Sequence, residues 1–67
     1  MSGLYTILVY VKQSDGTEKV EWLDSGLATF SQEAADMASR YTESYGKIGR
    51  RYQAYSLHQA KEIMGDA

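Results

Sequence analysis

The sequence predicts an α+β fold of ββαβ connectivity. Three antiparallel strands in the order 2-1-3 carry one helix packed on one face, and a short C-terminal helix follows. Three observations predict it. "LYTILVYVK" and "VEWL" are apolar runs set around Asp15-Gly16, a short-range hairpin signal. "TFSQEAADMASRY" recurs at helical spacing between start and stop signals. "IGRRYQAYSL" then returns to an alternation of two.

The first strand, Leu4 to Lys12, is apolar at nearly every position, as suits the centre of a sheet. With Asp15-Gly16 as a two-residue turn, Val11 is expected opposite Val20, Tyr10 opposite Glu21, Val9 opposite Trp22 and Leu8 opposite Leu23. That register puts Tyr5, Ile7, Val9, Val11, Val20 and Trp22 on one face, and a slip by one residue would scatter the set. Asp24-Ser25-Gly26 closes the second strand.

For the helix, Ser31 or Thr29 is the expected N-cap, with Glu33 and Asp36 favourable near the positive end and Phe30 placed as a hydrophobic staple. Ala34, Ala38, Tyr41 and Tyr45 form its apolar stripe, the alanines allowing a close approach to the sheet, and Gly46 is the expected stop. The third strand spans Ile48 to Leu57. Burying Gln53 would leave an amide to satisfy, so Tyr52 and Ala54 are assigned inward. Right-handed crossover sets this strand beside the first. "HQAKEIMG" adds a short helix whose Ile63 and Met64 tuck onto the domain edge. The expectation is a single domain over residues 1–67, with nothing left to cover the second face of the sheet.

With 67 residues and no cysteine, the chain excludes disulfides and thiolate metal sites, and its lone histidine, His58, cannot build a histidine metal site within one chain. No cofactor is expected. "MSGLYTILVYVK" lacks a basic leader and is too short to span a bilayer, which predicts a soluble cytoplasmic protein with no membrane partner. The net charge of −2 is unevenly spread. Seven acids lie between Asp15 and Glu43 against Lys19 and Arg40, whereas Lys47, Arg50, Arg51 and Lys61 follow with no acid among them.

Catalytic patterns are missing. His58 has no evident partner, Ser31 and Ser56 lie in no nucleophile elbow, and Gly46 and Gly49 lead into a strand, where a phosphate-cradling loop would lead into a helix. The chain is read as not an enzyme.

The uncovered sheet face is more informative. An antiparallel sheet with one wet face shows polar residues there. Here the expected face carries Thr6, Leu8, Tyr10, Glu21, Leu23, Arg51, Gln53 and Tyr55, with Leu57 at its end, and its tyrosines, leucines and arginine are closer to the centre of a protein interface. Leu8, Tyr10, Leu23 and Tyr55 are the expected anchors, with Arg51 and Glu21 setting orientation. The alternative is a nucleic-acid binder using Lys47, Arg50, Arg51, Tyr52 and Tyr55, aromatics rimmed by basic side chains; the acidic balance ranks it below a protein partner. A homodimer packed through the open faces is the third reading.

Assembled, the hairpin, the "TFSQEAADMASRY" helix and the tyrosine-rich third strand make the chain resemble small stand-alone inhibitors encoded by phages and mobile elements, anti-CRISPR proteins among them. The resemblance covers the whole chain in size and layout and rests on no motif, so it assigns no residue a role. It implies an inhibitor or adaptor that occupies a surface on a larger host machine, such as a CRISPR effector.

Overall fold

The computed structural model describes residues 3–65. The elements run β1 (Tyr5–Lys12), β2 (Glu18–Trp22), α1 (Ser31–Tyr45), a 3-10 turn (Gly46–Ile48), β3 (Arg50–Ser56) and α2 (Leu57–Met64). The three-stranded sheet has the order β2-β1-β3, with both pairings antiparallel, as the sequence predicts. β1 is central because its run of apolar, largely β-branched residues tolerates cover on both faces.

The hairpin register differs from expectation by one residue. Leu8 faces Trp22, Val9 faces Glu21 and Tyr10 faces Val20. The loop has three residues, Ser14-Asp15-Gly16. The Gly16 N–H donates to the Gln13 carbonyl (3.1 Å) and the Gln13 N–H to the Thr17 carbonyl (2.7 Å), while Gly16 takes a left-handed φ of 91°. This is a tight turn followed by a glycine bulge, and its extra residue turns β2 over. The Asp15 carboxylate locks it by accepting the Thr17 N–H (3.0 Å) and hydroxyl (2.6 Å), which lower its pKa. Val20 and Trp22 therefore leave the face they were expected to share with Val9, and Glu21 and Leu23 move onto it.

α1 packs on β3 and β1. Ile7, Val9, Ala34, Ala38 and Tyr52 form the core between them, flanked by Leu23, Leu27 and Met37. Tyr52 and Ala54 point inward, as expected. Ala34 and Ala38 bring the helix close, and Tyr41 stacks on Tyr52 with ring centroids 5.1 Å apart.

The helix begins differently from expectation. Phe30 is the N-cap, no side chain caps the first turn, and Phe30 is 73% exposed, so it is no staple. Thr29 is already committed: its backbone pairs with Tyr5 in an isolated bridge (2.6 and 2.8 Å) and its hydroxyl bonds Glu33. α1 ends where expected, with Gly46 as its C-cap, but Gly46 is right-handed at φ −59° and leads into the 3-10 turn. The reversal falls at Gly49, φ 83°, whose carbonyl accepts the Lys12 N–H (2.8 Å).

α2 corrects the expectation of a bare second face. The Ser56 hydroxyl caps it by accepting the Gln59 N–H (3.2 Å), and Gly65 ends it at φ 79°. The helix lies against β1 and β3 on the side away from α1. Ala60 is buried there together with Thr6 and Leu8, all three without solvent exposure. Half of the second face is thus a small second core, and only the half nearest the hairpin is open.

Candidate functional site, the open half of the second sheet face

Side chains alternate across a strand, so the register defines this face: Leu8, Tyr10 and Lys12 from β1, Glu18, Val20 and Trp22 from β2, and Arg51, Gln53 and Tyr55 from β3. α2 covers the Thr6 and Leu8 end. Tyr55 and Trp22, the strand partners of Thr6 and Leu8, are half-buried at that end, and Gln53 opposite Leu8 is exposed; beyond it Tyr10 and Val20 are half-buried and Arg51 and Glu18 exposed.

Arg51 organises the surface. Its guanidinium lies 4.2 Å from the centroid of the Tyr10 ring and reaches across β1 to Glu18, 3.1 Å away. One side chain thus crosses all three strands, with a cation–π contact beneath it. The ion pair is about half exposed (51% and 45%), so it contributes on the order of 1 kcal/mol or less. Its effect is to hold the guanidinium over the Tyr10 ring. The Tyr10 hydroxyl meets the Tyr55 hydroxyl at 2.7 Å. Burial, and then the hydrogen bond to Tyr10, push the Tyr55 phenol up to about 12, against a smaller opposing effect of Arg51. Tyr55 therefore stays a neutral hydroxyl across the physiological range.

Of the six residues expected to bind a partner, the structure brings Tyr10, Arg51 and Tyr55 together. Leu8 shares their face but is fully buried beneath α2, so it is a core residue and no anchor. Glu21 and Leu23 lie on the α1 side, Leu23 packed against the core there, because the bulged loop turned β2 over. Glu18, Val20 and Trp22 take their places. The signal for this was present in Ser14-Asp15-Gly16, since glycine in the third position of a three-residue loop, with a bulge, is the next most common hairpin device after Asp-Gly in a two-residue one.

The residues of the nucleic-acid alternative are divided. Arg50 and Arg51 are strand neighbours and project to opposite faces. Tyr52 is buried under α1 between Tyr41 and Tyr45, on the opposite side from Tyr55. Lys47 sits in the 3-10 turn. No single surface carries this basic and aromatic set. His58 is exposed on α2 and meets Glu62 one turn on, at 3.0 Å.

Among the described residues no three His, Cys, Asp or Glu side chains gather as a metal site, and no helix is long and apolar enough to cross a membrane. Two shallow surface depressions lie along one flank of α1, sharing Met37 and Arg40, one reaching toward Phe30 and the other toward Tyr45. Comparison with protein-family models, curated proteins and solved structures finds no match to this chain. What fold and site define is a class, a small α+β domain whose sheet is covered on one face by α1 and half-covered on the other by α2.

Proposed function

We propose that this chain is a non-enzymatic protein-binding module, an inhibitor or adaptor that engages a larger partner through the open half of its second sheet face. One observation carries the reading: Tyr10, Trp22, Arg51 and Tyr55, of the residue types that dominate interface hot spots, stand together where an open sheet face is ordinarily polar. Their arrangement favours binding. Arg51 is already held by Tyr10 and Glu18, and Tyr10 by Tyr55, so little rotamer freedom is lost on docking. Trp22 and Val20 supply apolar area beside them.

The test is capture of partner from lysate by three immobilised forms: wild type, Tyr10→Ala/Arg51→Ala, and Arg40→Ala on the outer side of α1. The reading expects one protein, held by wild type and by Arg40→Ala and lost by the double variant, which keeps its far-UV spectrum. Loss with Arg40→Ala alone would move the site to α1. Capture abolished by nuclease treatment and falling steeply with salt would favour the nucleic-acid alternative.

A further inference from the structure

The two edges of the sheet are treated differently. The outer edge of β3 is guarded by α1. The Tyr52 N–H donates to the Thr42 hydroxyl (2.9 Å), and that hydroxyl donates to the Tyr52 carbonyl (3.2 Å). One threonine thus takes up both outward backbone groups in the middle of the edge.

Among the described residues β2 has no such guard. Its hydrogen-bonding phase follows from the bonds at its two ends, Gln13 N–H to the Thr17 carbonyl and Leu23 N–H to the Ile7 carbonyl. Antiparallel bonding alternates, so Lys19 and Glu21 spend their backbone groups on β1. The N–H and C=O groups of Glu18, Val20 and Trp22 then point outward, away from the sheet, and among the described residues β1 is the only strand beside β2. Such a row is a template for another strand.

We propose that this edge pairs with the β2 edge of a second copy of the chain. The two strands run antiparallel about a two-fold axis at Val20, giving a six-stranded sheet of order β3-β1-β2-β2-β1-β3. The sequence of the strand, Glu-Lys-Val-Glu-Trp, is self-complementary in this register. Val20 meets Val20, and Glu18 and Trp22 meet Trp22 and Glu18, each pair with its outward backbone groups in bonding phase. Lys19 of each copy faces Glu21 of the other on the α1 side. Lys19 and Glu21 pair with each other within one chain at 3.6 Å, with side chains 66% and 49% exposed, and exchange this weak surface pair for the one across the seam.

Charge also selects the register. Bonding phase allows slips of two residues only, and these set Lys19 against Lys19 or Glu21 against Glu21, each a repulsive cross-strand pair. Full overlap of the five residues is the one arrangement that is also complementary in charge. The contact is isologous, so it closes at two copies. It leaves the Tyr10, Arg51 and Tyr55 surface uncovered and sets two such surfaces on the same side of one sheet, a bivalent arrangement.

The test is solution mass by light scattering across a concentration series, for wild type and four samples. Wild type is expected to pass from monomer to dimer at high micromolar concentration, since five residues a side make a small interface. Val20→Pro removes an outward N–H that β1 does not use, so it should stay monomeric with an unchanged far-UV spectrum. Lys19→Glu and Glu21→Lys each turn both cross-strand pairs repulsive and should weaken the dimer by about tenfold or more. An equimolar mixture of these two variants makes the seam complementary again and should recover the dimer mass. A wild type that stays monomeric throughout overturns the proposal. So does a dimer indifferent to Val20→Pro, or a mixture that recovers nothing.

Discussion

The same change, threonine to valine, is expected to have opposite signs at two places. Thr6 lies on β1 under α2, without solvent exposure, and its hydroxyl has no hydrogen-bond partner among the described residues. A buried hydroxyl without a partner costs about 1–3 kcal/mol of stability. Thr6→Val keeps the shape, removes that cost and suits the strand, so it should stabilise by about 1–3 kcal/mol. For a domain of this size each kcal/mol raises Tm by about 4–8 °C. Thr42 is the reverse case, because its hydroxyl both accepts from and donates to the Tyr52 backbone. Thr42→Val strands those two groups at the β3 edge and should destabilise by about 1–2 kcal/mol. Urea titration followed by far-UV circular dichroism measures both, with an unchanged slope showing that the change lies in stability. Loss of stability in Thr6→Val, or the same sign at both sites, would refute the reasoning about α2 as the cover of Thr6.

Two further expectations concern the turn and the tyrosine pair. Gly49→Ala should cost about 1 kcal/mol or more in the same titration, because Gly49 sits at φ 83° and an added Cβ would meet the Lys12 Cβ at 3.3 Å. Burial and the hydrogen bond to Tyr10 raise the folded pKa of Tyr55 to about 12 from the ordinary tyrosine value of 10.0, so folding favours its neutral form. That contribution to stability is full below pH about 10 and is lost as pH rises from there toward 12. Tyr10→Phe removes the hydroxyl partner, so ultraviolet titration of the phenolates should show Tyr55 ionising at lower pH.

The topology was legible in the sequence because each segment carried its own period and punctuation. The apolar run of β1, the alanine and tyrosine stripe of α1, and the alternation in β3 that kept Gln53 out of the core all agree with one fold. The face of β2 was not legible. Asp15-Gly16 fits two loops differing by one residue, and Val20 and Trp22 made an apolar set with Val9 that was attractive in the wrong register. The role of α2 was missed for a different reason. Of its eight residues the one it buries completely is Ala60, while the large apolar Leu57, Ile63 and Met64 keep part of their surface exposed. As a result Leu8 passed from anchor to core, while Tyr10, Arg51 and Tyr55 kept their place. Those three lie on strands whose pairing did not depend on the hairpin loop.

The chain contains one tryptophan, and it lies on the proposed binding face. The most direct measurement is therefore the indole N–H resonance of Trp22 in isotope-labelled protein, followed while unlabelled captured partner is added. The account predicts that this signal shifts or broadens together with the amides of Arg51, Gln53 and Tyr55, while those of Ala34 and Ala38 hold still. Changes confined to Phe30, Met37 and Tyr45 along α1, with Trp22 unmoved, would contradict it.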